Sequence, residues 1–158
     1  MIKKYEGIIL LRPDRLTLTI RDDQQAILTQ VKSGALRVGD ETVANYLENM
    51  GAITTNLTGF LRVLKEYAVK KSDVVFYGDL DDLDSVSAQY VADQIEVRVG
   101  LKIQWLNKNQ LLAQTLAQTW PRLKHELGDQ QLTGYVLCVG LSTSTLSYFN
   151  QGQFATCW

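Results

Sequence analysis

The stretch Val136-Leu137-Cys138-Val139-Gly140-Leu141-Ser142-Thr143-Ser144-Thr145-Leu146-Ser147 decides how the rest of the chain is read. An apolar run enters a hydroxyl-rich turn and leaves it as a second strand-like segment. A hairpin of this kind gathers hydroxyls and backbone N–H groups at one turn, as anion-binding hairpins do. A related pattern opens the chain. Sliding the sequence by 128 residues lays Ile9-Leu10-Leu11 on Leu137-Cys138-Val139, Arg12-Pro13-Asp14 on Gly140-Leu141-Ser142, and Leu16-Thr17-Leu18 on Ser144-Thr145-Leu146. Identity is low, but strand, turn and strand recur in order. The chain therefore reads as a full domain over residues 1–130, followed by a hairpin segment, 131–158, that begins a second domain of the same type.

Between the two hairpins the pattern alternates strands and helices. Residues 5–12 predict a strand buried on both faces, Pro13-Asp14 a turn, and Arg15 to Ile20 a strand with Leu16, Leu18 and Ile20 on its buried face. Ala26 to Val31 completes an antiparallel meander. Asp40 is a candidate N-cap for one long helix over about 40–69, whose apolar stripe is Val43, Leu47, Met50, Leu57, Leu61, Leu64 and Ala68, with Ile53 beside it. Val74 to Tyr77 predicts a short strand, and Asp84 or Ser85 a cap for a helix with Val86, Tyr90 and Ile95 inward, ending at Gly100. Leu101 to Leu106 predicts another strand. Asn107 and Gln110 form a capping-box pattern at the head of a helix that Pro121 kinks and Gly128 ends. Three more strands follow at Leu132–Val139, Thr143–Phe149 and Phe154–Trp158. The order is β-β-β-α-β-α-β-α, then a second meander.

Composition narrows the function classes. At 158 residues, with 16 basic and 17 acidic side chains, the net charge is −1 and no basic stripe marks a nucleic-acid surface. Cys138 and Cys157 have no C-x-x-C spacing, and His125 is the only histidine, so a zinc site is not expected. Reduced structural thiols, and the lack of a signal-like or membrane-length apolar run, lead us to expect a cytoplasmic protein without a membrane partner.

The two hairpins and the element order between them resemble the actin, sugar-kinase and Hsp70 superfamily with its ribonuclease-H-like domains, and within it the exopolyphosphatase and guanosine pentaphosphate phosphohydrolase family. The resemblance implies an α/β fold with a ribonuclease-H-like mixed sheet and helices on both faces, and it matches the N-terminal portion of such proteins. The family's first phosphate hairpin, Asp-Ile-Gly-Ser-Asn-Ser, falls on Leu10, Leu11, Arg12, Pro13, Asp14 and Arg15. The second, Asp-Ile-Gly-Gly-Gly-Ser-Thr-Glu-Leu, falls on Cys138 to Leu146; Gly140 and Leu146 survive, while its acids become Cys138 and Thr145. A helix-head motif, Gly-(Asn/Glu)-Glu-Glu-Ala-Arg, falls on Asn107 to Gln114, with Leu111 and Leu112 in place of its glutamates. Where the family carries a phosphate-directed arginine, this chain has the acidic turn around Asp81.

Hydrolysis of a phosphoanhydride needs a carboxylate to position or deprotonate water, charge neutralisation by metal or arginine, and N–H groups near the phosphate. Leu10, Leu111, Leu112, Cys138 and Thr145 supply no carboxylate, Pro13 removes an N–H, and Leu141 adds bulk to the second turn. The sequence therefore predicts a domain of this fold with its catalytic set dismantled and no cofactor, acting by binding or assembly. Arg12, Arg15, Gly140, Ser142, Thr143 and Ser144 are the candidate contacts for a phosphate-containing ligand. The alternative is a magnesium-dependent phosphohydrolase using Asp79, Asp81 and Asp82. The apolar residues of the last strands, with no helix after them to cover a second sheet, predict a homodimer through this region or strands folded back onto the first domain.

Overall fold

The computed structural model describes residues 4–37, 42–80, 83–116, 133–139, 144–151 and 153–157, with the backbone alone for 42–44, 138, 139, 145 and 153–157. Two compact units divide the chain, Met1–Leu111 and Leu112–Trp158. In the first, β1 (Tyr5–Arg12), β2 (Arg15–Asp22), β3 (Ile27–Lys32), β4 (Val74–Asp79) and β5 (Gln104–Leu106) form one sheet in the order β3-β2-β1-β4-β5. β1 is antiparallel to β2 and parallel to β4, and β4 is parallel to β5. The helices α1 (Thr42–Glu48), α2 (Met50–Glu66) and α3 (Ser85–Val99) complete the mixed, helix-flanked sheet that the sequence predicts, and α4 (108–116), which follows β5, runs across the boundary between the units.

Strand alternation places Ile9 and Leu11 of β1 and Leu16, Leu18 and Ile20 of β2 on one face, all fully buried. They form one core with Ile53, Leu57, Phe60 and Leu64 of α2 and Ala88, Val91 and Ile95 of α3. Each of the larger aliphatic chains contributes roughly 1.5–3 kcal/mol by leaving water. β4 carries Gly78 opposite Trp105 of β5, and the indole occupies the space that a Cβ at 78 would need. Trp105 Nε1 donates to the Ala88 carbonyl at 3.1 Å, and its ring meets Tyr46 edge-on at 5.8 Å. One aromatic thereby ties the short β5 to both α3 and α1.

The single helix predicted over 40–69 is two, meeting at Asn49. Hydrogen bonds still run from Asn49 N–H to Asn45 O and from Ile53 N–H to Asn49 O, but ψ at Asn49 opens to 2°. The side chain accounts for the interruption. Asn49 is buried, its Oδ1 accepts from the Arg37 N–H at 3.0 Å, and its Nδ2 donates to the carbonyls of Arg37 at 2.8 Å and Asn45 at 2.6 Å. An amide that serves a neighbouring loop as well as its own helix interrupts the regular turn there. The buried stripe runs on across Asn49 through Tyr46, Met50, Ile53, Leu57, Phe60 and Leu64, so Tyr46 and Phe60 enter the core in place of the predicted Leu47 and Leu61, and Leu47 is exposed. Ala68 lies beyond α2 with φ 55°. Asp40, the expected cap, lies outside the described residues, as do Trp120, Pro121, His125 and Gly128.

Asp84 caps α3, accepting from the N–H groups of Val86 and Ser87 at 2.9 and 3.0 Å and from the Ser87 hydroxyl at 2.6 Å. Gly100 ends the helix with φ 71°, a left-handed conformation that favours glycine. The inward set differs from the sequence reading: Ala88, Val91 and Ile95 are buried, while Val86 and Tyr90 face solvent. β5 is also shorter than predicted. Leu101 is core without being strand. Among the described residues no helix is long and apolar enough to cross a membrane.

The second unit contains β6 (Gly134–Val139), β7 (Ser144–Asn150) and β8 (Gln153–Cys157), an antiparallel meander. Its register repeats that of the first meander. Adding 128 to both members of Ile9↔Leu18, Leu10↔Thr17 and Leu11↔Leu16 gives Leu137↔Leu146, Cys138↔Thr145 and Val139↔Ser144. The irregularity between Ile20 and Arg21 recurs between Tyr148 and Phe149, the same positions under that shift. The two meanders thus share one hydrogen-bonding pattern.

Two substitutions separate the tight contacts from the slack ones. Gly78→Ala forces Trp105 or Ile103 to move and is expected to cost about 1–3 kcal/mol in urea denaturation. Gly59→Ala, in α2 with open space around it, is expected to stabilise by up to about 1 kcal/mol.

The cap makes a pH prediction. The Ser87 hydroxyl and then the Ser87 N–H hold the Asp84 carboxyl below its usual range, opposed by partial desolvation. A depressed folded-state pKa stabilises above the unfolded value and is lost as pH falls through the folded one. The melting temperature of Asp84→Ala should thus lie below that of the unaltered chain at neutral pH. The gap should narrow as pH drops below about 4, and Asp84→Asn should keep most of the neutral-pH stability.

Candidate functional site

In open sheets of this kind ligands bind beyond the carboxyl ends of the parallel strands. Here those ends are Arg12, Asp79 and Leu106, followed by the β1–β2 turn, the loop into α3 and the head of α4. The register pairs Leu11 with Gly78 on the helical face, so Arg12 and Asp79, one residue further, end adjacent strands on the opposite face.

The turn itself is tight. Arg12 pairs with Arg15, leaving Pro13 and Asp14 as the two central residues, neither at positive φ. Asp14 Oδ2 holds Arg15 Nε, and the Asp14 carbonyl accepts from the Leu36 N–H at 2.7 Å. Ser33 joins the same loop to β2, its Oγ accepting from the Leu16 N–H at 2.9 Å. Asn49 fixes the loop's next turn through Arg37. Arg15 is therefore oriented by a carboxylate at the turn, while Arg12 is half-buried and makes a polar interaction of its own. Two guanidinium groups flank a turn that offers one N–H fewer than a glycine hairpin.

The positions that the resemblance assigns to acids hold other chemistry. Leu10 is half-buried in β1 between Thr17 and Tyr77. Leu111 and Leu112 are half-buried in the first turns of α4, whose head is closed reciprocally: Asn107 N–H donates to Gln110 Oε1 and Gln110 N–H to Asn107 Oδ1, both at 3.0 Å. Cys138 and Thr145 face each other across β6 and β7. Leucine offers no oxygen to a magnesium ion and no group that can move a proton, so the residues at 10, 111 and 112 do not fit a metal-assisted hydrolase.

Of the hydroxyl turn, Ser144 is described and exposed; Gly140, Ser142 and Thr143 lie outside the described residues. Of the acidic cluster, Asp79 is half-buried and its carbonyl accepts from the Tyr46 hydroxyl at 3.1 Å, whereas Asp81 and Asp82 lie outside. Among the described residues no three His, Cys, Asp or Glu side chains gather as a metal site. The sequence reading missed the Asn45–Asn49 pair that sets the loop beside the turn. Its signal was two amides four residues apart along an apolar helix, each now buried.

The sequence matches no family model and no curated protein. Solved structures do match it. An exopolyphosphatase from Cytophaga hutchinsonii superposes with a TM-score of 0.68 at 15% identity, over 98% of this chain and 49% of that one. An exopolyphosphatase-like protein gives 0.78 at 13% identity, over 100% and 50%. A Ppx/GppA family member from Aquifex aeolicus gives 0.64 at 11% identity, over 99% and 50%. The chain thus spans about half the length of these proteins and has, over that span, the exopolyphosphatase-like fold of the actin, sugar-kinase and Hsp70 class.

Proposed function

We propose that the chain is a non-catalytic, cytoplasmic exopolyphosphatase-like domain that acts by binding or assembly. One observation carries the reading. The strand and helix positions where the resemblance puts carboxylates are filled by Leu10, Leu111, Leu112, Cys138 and Thr145. A fold kept with its proton-transfer and metal-binding groups replaced can still present cations and turn donors to an anion. Arg12 and Arg15 are the cationic contacts proposed for a phosphate-containing ligand at the first hairpin, and Gly140, Ser142, Thr143 and Ser144 the donors at the second.

One feature favours the competing reading, a magnesium-dependent phosphohydrolase built on Asp79, Asp81 and Asp82. Asp79 stands at the carboxyl end of a parallel strand, where catalytic acids are found in open α/β sheets. Phosphate release separates the two. With polyphosphate or guanosine pentaphosphate, with and without magnesium, and an active relative alongside, release by this chain is expected at the level of buffer. Steady turnover that Asp79→Asn or Asp81→Asn abolishes would establish the competing reading instead. Polyphosphate binding without turnover, weakened about tenfold or more by Arg12→Gln, is the further expected result.

A further inference from the structure

Arg12 and Asp79 close the parallel strands β1 and β4 at one end of the first sheet; at the other end α2 stops over the start of β4. A cavity of about 290 Å³ lies there, walled by Leu61, Leu64, Ala68, Val69 and Val74. Val74 opens β4 and pairs with Gly7 near the start of β1, and Leu64 occupies the space that a Cβ at Gly7 would need. The walls come from α2, the turn that ends it and the first residue of β4, all within one unit.

The turn uses up its own polar groups. The N–H groups of Tyr67, Ala68 and Val69 donate to the carbonyls of Val63, Lys65 and Leu64 at 3.2, 3.0 and 2.9 Å. Those carbonyls are thus capped from within, and those N–H groups are not free to hold a phosphate. Ala68 has φ 55°, a left-handed conformation that favours glycine, so the wall keeps a methyl group at a conformational cost. Charge lies at the rim. Lys65 and Lys71 complete the lining, both are exposed, and among the described residues neither makes an ion pair. Lys71 Nζ comes within 3.1 Å of the point where a Cβ on Gly100 would stand, at the end of α3. Among the described residues no acidic side chain joins this lining. The segment from Arg62 to Ser72 sets Arg62, Lys65, Lys70 and Lys71 against Glu66 alone, in a chain of net charge −1.

We propose that this cavity binds an aliphatic carboxylate of medium chain length. The alkyl chain lies against Leu61, Leu64, Val69 and Val74, and the carboxylate sits between the ammonium groups of Lys65 and Lys71. Size fits this class: at about 30 Å³ per heavy atom, the volume a water takes in the liquid, the cavity has room for about ten, near the small end of ligand pockets. The chemistry fits as well. Apolar walls without a free hydrogen-bonding group call for a hydrocarbon, and two cations at the mouth call for one anionic head. A phosphate is the poorer match, since ammonium groups on flexible stems offer no planar fork and the N–H groups of the turn are taken. Neither Arg12 nor Asp79 takes part, so the site is independent of whether phosphate chemistry survives.

Octanoate is the probe. Titrated into the full chain and followed by amide chemical shifts, it should move Leu64, Val69 and Val74 with a Kd of about 1 mM or tighter and leave the β1–β2 turn unmoved. Octanol has the chain without the charge and acetate the charge without the chain, and each should bind at least about fivefold more weakly. Lys65→Gln combined with Lys71→Gln, both at exposed positions, should weaken octanoate about fivefold or more without lowering the melting temperature. Absence of shifts at these three amides up to about 10 mM octanoate would overturn the proposal. Equal affinity for octanol, or octanoate binding that the double variant leaves unchanged, would overturn it as well.

Discussion

β1 is hydrogen-bonded on both sides, antiparallel to β2 and parallel to β4, and side chains alternate along a strand with a period of two. A slip of one residue would turn Ile9 and Leu11 out from under α2 and bring Leu10 in. The fixed register therefore decides the core, and it also decides which residues end the parallel strands. Arg12 and Asp79 come side by side because Leu11 is paired with Gly78, and Gly78 is glycine because Trp105 lies across it. The ends of the sheet and the packing of its face are consequences of one pairing.

That pairing was legible in part because hairpins and caps are local. The alternation through Leu16, Leu18 and Ile20, the Pro13-Asp14 turn, the reciprocal Asn107–Gln110 cap and the Gly100 terminus each depend on residues within a few positions of one another. The interruption at Asn49 was not legible, since its side chain is held by the Arg37 backbone twelve residues earlier in the chain. A stripe of apolar residues at three- and four-residue steps fits two neighbouring faces of a helix, and the face that is buried carries Tyr46 and Phe60 and leaves Leu47 exposed. In α3 the same ambiguity set Val91 inward and Tyr90 outward, and the small Ala88 leaves room for the Trp105 hydrogen bond.

The candidate site was legible through residue identity more than through geometry. A leucine side chain cannot donate, accept or ligate wherever the fold places it, so the reading that the resemblance implies for positions 10, 111 and 112 rests on residue identity alone. What the sequence could not give was the use of Asp14 to orient Arg15 and of its carbonyl to hold Leu36. These contacts tie the first hairpin to the loop that follows β3. The second meander shows the same economy of change: register and irregularity are kept, while Cys138 and Thr145 stand opposite each other where acids are expected.

We propose a fold that persists without hydrolytic chemistry. A single-turnover measurement tests it most directly, with the chain in excess over end-labelled polyphosphate and magnesium present, so that even one slow event per molecule is seen. Labelled phosphate is expected at the rate of the protein-free control. Protein-dependent release that follows a single exponential and disappears in Asp79→Asn would contradict it.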